Sequence, residues 1–139
     1  FDFAEKDINT LIQYFAGMSR MNYSLTKAHY KLDAELISVG KTLSGPEAFN
    51  CFSCHLQNGV KPGEDPTNWA PDWVDMSDRL QYGFISKWIA NPSLFQKYAV
   101  MPAFLTKDDE AHPDYLGGKA APQINALRDY ILSFDPANR

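Results

Sequence analysis

The chain has 139 residues, of which 45 % are apolar and 14 % aromatic, and carries a formal net charge of −4. That length suits one small domain burying roughly two thirds of its unfolded surface. The acidic balance and scattered basic residues argue against nucleic-acid binding, so a basic or mixed-charge partner is expected, and no apolar run reaches the length of a membrane span.

The periodic segments read as helical and none alternates as a strand would, so the expected class is all-α. Over residues 7–17, Ile8, Leu11, Ile12 and Phe15 share one face, with Asp2 and Glu5 as a capping pair and Gly17 as the stop. A second helix is expected over 26–42, with Leu32, Leu36, Val39 and Leu43 on its buried stripe. A Ser-Gly-Pro turn follows. Ser77 is expected to cap a third helix, preceded by Met76 as a hydrophobic staple. Its apolar face is Leu80, Phe84, Ile85, Trp88 and Ile89, and Asn91-Pro92 ends it. The last helix is expected to open after Pro122 and to bury Ile124, Leu127, Ile131 and Phe134. Two irregular stretches, 58–73 and 92–105, are rich in Pro, Gly and aromatics, as loops wrapped around a cofactor would be.

The only two cysteines lie in Cys51-Phe52-Ser53-Cys54-His55. Cys-x-x-Cys-His is the attachment sequence of a c-type haem: two thiols add across the two vinyl groups of one porphyrin, and the next residue offers an imidazole to the iron. A zinc site would want four ligands, and no second cysteine pair exists. A thioredoxin-like dithiol would need a surrounding βαβ pattern, which is absent. A structural disulfide is the remaining alternative.

At these residues the chain resembles the class I c-type cytochromes, and the likeness extends over residues 36–134. It implies class I cytochrome c-like helices around one covalently bound haem c, here with an extra N-terminal helix. It also implies a second axial ligand on a loop far along the chain. Met101, in Tyr98-Ala99-Val100-Met101-Pro102-Ala103-Phe104, is similar to the family's Met-Pro-x-Phe ligand loop. Proline after the methionine restricts that residue to extended conformations, and His/Met pairing raises the haem potential. The expected set is therefore Cys51 and Cys54 for attachment and His55 and Met101 on the iron, with Pro71, Arg79, Trp88 and Phe104 in the pocket. Pro71, in Trp69-Ala70-Pro71-Asp72, would offer its carbonyl to the second ring nitrogen of His55. Pro62 and Pro66 are the rivals for that role. Arg79 would pair with a propionate or stand as a solvated charge. Gly40 matches the small residue where the first and last family helices cross, with Tyr130 or Leu127 as partner. Met18, Met21, Met76, His29 and His112 are weaker ligand candidates, and His112 reads as a turn residue.

Residues 107–121 are longer than the family's link to its final helix and could shield a haem edge, dock a partner or decorate the surface. Residues 1–30 lie outside the resemblance, and 31–139 form the expected cytochrome domain. Within the extension, Asp7-Ile8-Asn9-Thr10-Leu11-Ile12-Gln13-Tyr14 aligns with Gln123-Ile124-Asn125-Ala126-Leu127-Arg128-Asp129-Tyr130, sharing Ile, Asn, Leu and Tyr. Phe1-Asp2-Phe3 also resembles the residues just after the Met-Pro of a ligand loop. The extension thus reads as the end of a preceding cytochrome module.

The resemblance implies single-electron transfer between redox proteins rather than enzymatic chemistry, in a respiratory or other periplasmic chain. A haem domain of a larger redox enzyme, or a haem-based ligand sensor, is the alternative. No signal-peptide pattern is present. Because the family is loaded with haem outside the cytoplasm, an export signal is expected to have been removed or to lie outside this sequence.

Overall fold

In the computed structural model the described residues are 3–18, 31–63 and 65–135. Among them are five α-helices and no strand: α1 (Glu5–Met18), α2 (Ala34–Leu43), α3 (Trp73–Arg79), α4 (Tyr82–Ala90) and α5 (Ala120–Leu132). Among these residues no helix is long and apolar enough to cross a membrane.

Helix α5 is the axis of the fold. From Ala126 to Leu132 every residue is buried, because α2, α3 and α4 all pack against it. Leu43, Ile85, Ile89, Leu127 and Ile131 join in one apolar core with Trp73 and Leu105. A helix buried all round can carry charge only if the charge is paired. Arg128 accordingly donates to Asp129 Oδ1 from Nη2 at 2.7 Å and from Nε at 2.8 Å, and its guanidinium lies 3.8 Å from the centre of the Tyr82 ring. The second Asp129 oxygen accepts from the backbone N–H of Asp33, fastening the start of α2 to α5.

Where α2 crosses α5 the backbones nearly touch. A methyl group at Gly40 would collide with the carbonyl oxygen of Ala126 and lie 2.6 Å from its carbonyl carbon and 2.8 Å from Tyr130 Cβ. Glycine in a helix interior is unfavourable by about 1 kcal/mol relative to alanine, and this close approach is what offsets it.

Several boundaries differ from expectation. Residues 26–30, with the expected start of the second helix, lie outside the described residues. The helix begins at Ala34 because Asp33 caps it, accepting from the N–H groups of Glu35 and Leu36. Gly17 does not stop α1, which runs one residue further, and Asp2 lies outside the described residues. Ser77 is not a cap. It is buried inside α3, its hydroxyl bonded to the Val74 carbonyl, while Asp72 caps that helix. Extended backbone at Leu80 and Gln81 then splits the expected third helix into α3 and α4, which also puts Met76 within α3 rather than before it.

The last helix starts at Ala120, ahead of Pro122, because Asp108 reaches across the 107–121 segment to accept from the Ala120 N–H at 3.0 Å. Pro122 then occupies the first turn, where a missing N–H is harmless. Phe134 lies beyond the helix end. The fully buried Gln123 amide holds the same segment to α5: it accepts from His112 N and donates to the carbonyls of His112 and Tyr115, at 2.9, 2.7 and 2.8 Å. Replacing Gln123 with leucine leaves those backbone groups without their buried partner. A loss of about 2 kcal/mol is expected, measured by urea titration.

Candidate functional site

The Cys51–His55 stretch follows α2 through a tight turn in which Asn50 takes a left-handed conformation (φ 49°) and Cys51–Ser53 form one 3-10 turn. The chain then runs beside residues 70–73. Ala70 N–H donates to the Cys54 carbonyl at 2.7 Å, and Trp73 N–H donates to the Leu56 carbonyl at 3.2 Å. This pairing brings the Pro71 carbonyl beside the His55 ring, with Nδ1 at 2.8 Å. An imidazole whose Nδ1–H is held by a carbonyl presents Nε2 as its free ligating nitrogen. Pro62 and Pro66 take no part in that contact. Burial keeps the His55 pKa below its ordinary value, although the Pro71 carbonyl works the other way, so the ring is neutral at neutral pH.

Asp72 locks this arrangement. Its carboxylate accepts from the N–H groups of Asn58 (3.0 Å), Gly59 (2.6 Å) and Val74 (3.0 Å). The first two belong to an Asn-Gly turn closed by mutual Gln57 and Val60 hydrogen bonds, with φ 52° at Asn58 and 78° at Gly59, the conformation Asn-Gly favours. Burial alone would raise the Asp72 pKa, but the N–H groups of Val74, Gly59, Asn58 and Trp73 outweigh it and hold the carboxyl below its ordinary value of 3.8. A folded-state pKa that is depressed gives stability that is complete above the unfolded value and is lost as pH falls through the folded one. Acid titration of the wild type should therefore show a destabilising step below about pH 4 that Asp72→Asn lacks. At neutral pH the same variant should be less stable by about 1–2 kcal/mol, because its amide oxygen can still cap α3 while its NH2 group cannot accept from the Gly59 N–H that the other carboxylate oxygen holds.

His55 opens onto a cleft walled by Phe49, Cys51, Trp73, Met76, Leu80, Ile85, Trp88, Ile89, Met101, Phe104, Leu105, Leu127 and Ile131. Of the residues singled out in the sequence, Cys51, His55, Trp88, Met101 and Phe104 line it together. Cys54 is exposed at the adjoining turn, and Pro71 touches the site through its carbonyl. Arg79 is exposed at the end of α3 and does not line the cleft. Met76 does line it. Met18 is exposed at the end of α1, and Met21 and His29 lie outside the described residues. His112 sits in the 107–121 segment, its ring against Tyr115.

Sequence reasoning missed Trp73, which is the floor of the cleft. It is 2 % exposed and packs among Phe52, His55, Tyr130 and Phe134. Its position directly after the Asp72 cap was the available signal. Gln57, two residues after His55, donates to the Tyr130 hydroxyl at 2.8 Å, so the segment after the motif is tied to α5.

No family model matches this chain, and neither does any curated protein or solved structure.

The donor set decides what the cleft suits. Among the described residues no group of three or more His, Cys, Asp or Glu could hold a bare metal ion. An imidazole and a thioether lining an apolar cleft, with two thiols at its edge, fit a metal carried within a macrocycle. Trp73 Nε1–H is buried with no acceptor among the described residues, which suits an occupant that brings carboxylates. Burial, opposed by a backbone hydrogen bond and reinforced by Cys54, pushes the Cys51 pKa up to about 11. A reactive dithiol needs the opposite shift.

Proposed function

We propose that this chain is a class I c-type cytochrome module that carries single electrons between redox proteins outside the cytoplasm. One haem c is joined through Cys51 and Cys54, with His55 and Met101 as axial ligands. When bound, the haem supplies a one-electron couple; the protein supplies ligands, burial and hydrogen bonds that set its potential. The observation that carries the reading is that one apolar cleft is lined both by the histidine of the only Cys-x-x-Cys-His motif and by the methionine of Met101-Pro102.

The chain's own groups have separable parts in this function. The Pro71 carbonyl orients the His55 ring and raises its basicity as a ligand. Asp72 holds the turn that keeps Pro71 in place. Trp73, Ile85, Leu127 and Ile131 exclude water, so little solvent reorganises when the iron changes charge. With His55 and Met101 both holding the iron, no coordination site would remain for a substrate.

Acid-acetone extraction followed by a pyridine haemochrome assay tests the attachment. The expected result is that the haem stays with the polypeptide and gives the spectrum of a porphyrin with two thioether links. Haem passing into the organic layer would contradict it.

A further inference from the structure

Helix α1 has no buried residue, yet it carries a continuous apolar row: Ile8, Leu11, Tyr14, Phe15 and Met18 are 45, 42, 60, 62 and 70 % exposed. Aligned by the shared Ile-Asn-x-Leu-x-x-Tyr pattern, these five positions correspond to Ile124, Leu127, Tyr130, Ile131 and Phe134. Those residues are the face of α5 and its exit that meets the core. Leu127, Tyr130 and Ile131 are only 4, 6 and 4 % exposed, and Ile124 and Phe134 pack at the core's edge. Thus α1 presents to solvent, position for position, the face that α5 buries.

The geometry points to α1 as the closing helix of a second haem module of this kind, one that precedes it in a longer polypeptide and whose core covers the apolar row. This rests on the functional reading above. The choice of occupant comes from the α2–α5 crossing. A second copy of the present module already has α5 seated on its Gly40 face, so it offers no vacancy of the right shape. The vacancy belongs to a module whose own last helix is α1, and chain connectivity puts that module immediately upstream. The buried Arg128–Asp129 pair of α5 is replaced in α1 by Ile12 and Gln13, so the covering surface needs no buried counter-charge.

The test uses the native polypeptide isolated from the cells that make it, with haem per chain measured by pyridine haemochrome against intact mass. Two or more haems per chain are expected. Leu11→Asp combined with Tyr14→Asp in that polypeptide should lower the melting temperature of the preceding module and leave the present module's transition in place. One haem per chain, unchanged melting of both modules, or burial of α1 in a dimer of identical chains would overturn the inference. A protein with no haem at all would instead remove the functional reading, so the two failures are distinguishable.

A separate observation bears on the iron ligand. The indole N–H of Trp88 donates to the Met101 sulfur at 3.2 Å. A thioether sulfur has two lone pairs, and with one on iron the other can accept this bond. We infer that Trp88 is a positioning residue for Met101 that draws density from the sulfur and so favours reduced iron. Trp88→Phe keeps a ring packed against Phe84 and Phe95 and removes the donor. The expected result is a lower midpoint potential and a displaced sulfur-to-iron charge-transfer band, at unchanged haem content. Phe84→Leu, which disturbs the stack alone, should move neither. Identical potential and band in wild type and Trp88→Phe would overturn this inference, whereas a wild type without the band would count against Met101 ligation itself.

Discussion

Gly40→Val is expected to destabilise the protein by about 3 kcal/mol, at the upper end of overpacking effects, and to lower Tm by roughly 10 °C for a domain of this size. The added Cβ alone meets the Ala126 backbone and Tyr130 Cβ. A backbone atom cannot turn aside as a flexible side chain can, so α2 and α5 must separate. That separation loosens the wall of the cleft, because Leu127 and Ile131 lie on the same helix as Ala126. Gly40→Ala should fall between wild type and valine. Differential scanning calorimetry of the three proteins checks the order; equal melting temperatures would remove the close crossing from the fold.

The second large effect is expected from Met101→Ala. If Met101 is the iron's sixth ligand, its removal leaves a position that carbon monoxide can occupy in the reduced protein. It also abolishes the sulfur-to-iron charge-transfer band of the oxidised one. The potential should fall on the order of 100 mV or more, within the roughly 0.8 V that axial ligands span. The fold should survive, because Met101 is only partly buried and its neighbours Val100 and Pro102 are exposed. Spectroelectrochemical titration with and without carbon monoxide measures both changes. A variant with the parent's band and potential would place another residue on the iron.

The range of the forces involved decides how much of the fold was readable in the sequence. The helices were legible because apolar periodicity is local: the stripes of α2 and α5 face the core, as do Ile85 and Ile89 of α4, while Phe84 and Trp88 pack on each other and on Phe95. So was the need for a small residue at position 40. What failed were features set by partners distant in the chain. The split between α3 and α4 could not be read from periodicity, since Leu80 continues the apolar pattern while its backbone is extended. The start of α5 depends on Asp108, twelve residues upstream of Ala120. Gln123 looked like an ordinary helical glutamine, yet it is wholly buried with three backbone hydrogen bonds.

The site divides the same way. That Cys51, His55 and Met101 belong to one site was legible in their residue types and spacing, and the three line one cleft. Arg79 was picked from its position in a pattern; it stands exposed at the end of α3, next to the cleft-lining Leu80. The roles of Asp72 and Trp73 were hidden. Asp72 acts on Asn58 and Gly59 across a loop, and Trp73 gains its meaning only when residues 70–73 lie alongside 54–56. The Asn58-Gly59 turn signal and an aspartate directly before a helix were the traces they left in the sequence.

The central claim is a closed His55/Met101 iron site in a covalently bound haem, and the visible absorption spectrum of the purified protein tests it most directly. The expected result is a weak red-region sulfur-to-iron band in the oxidised protein, sharp low-spin haem c bands on reduction, and no change when carbon monoxide is added to the reduced form. A haem protein lacking the red band, with rapid carbon monoxide binding, would contradict it.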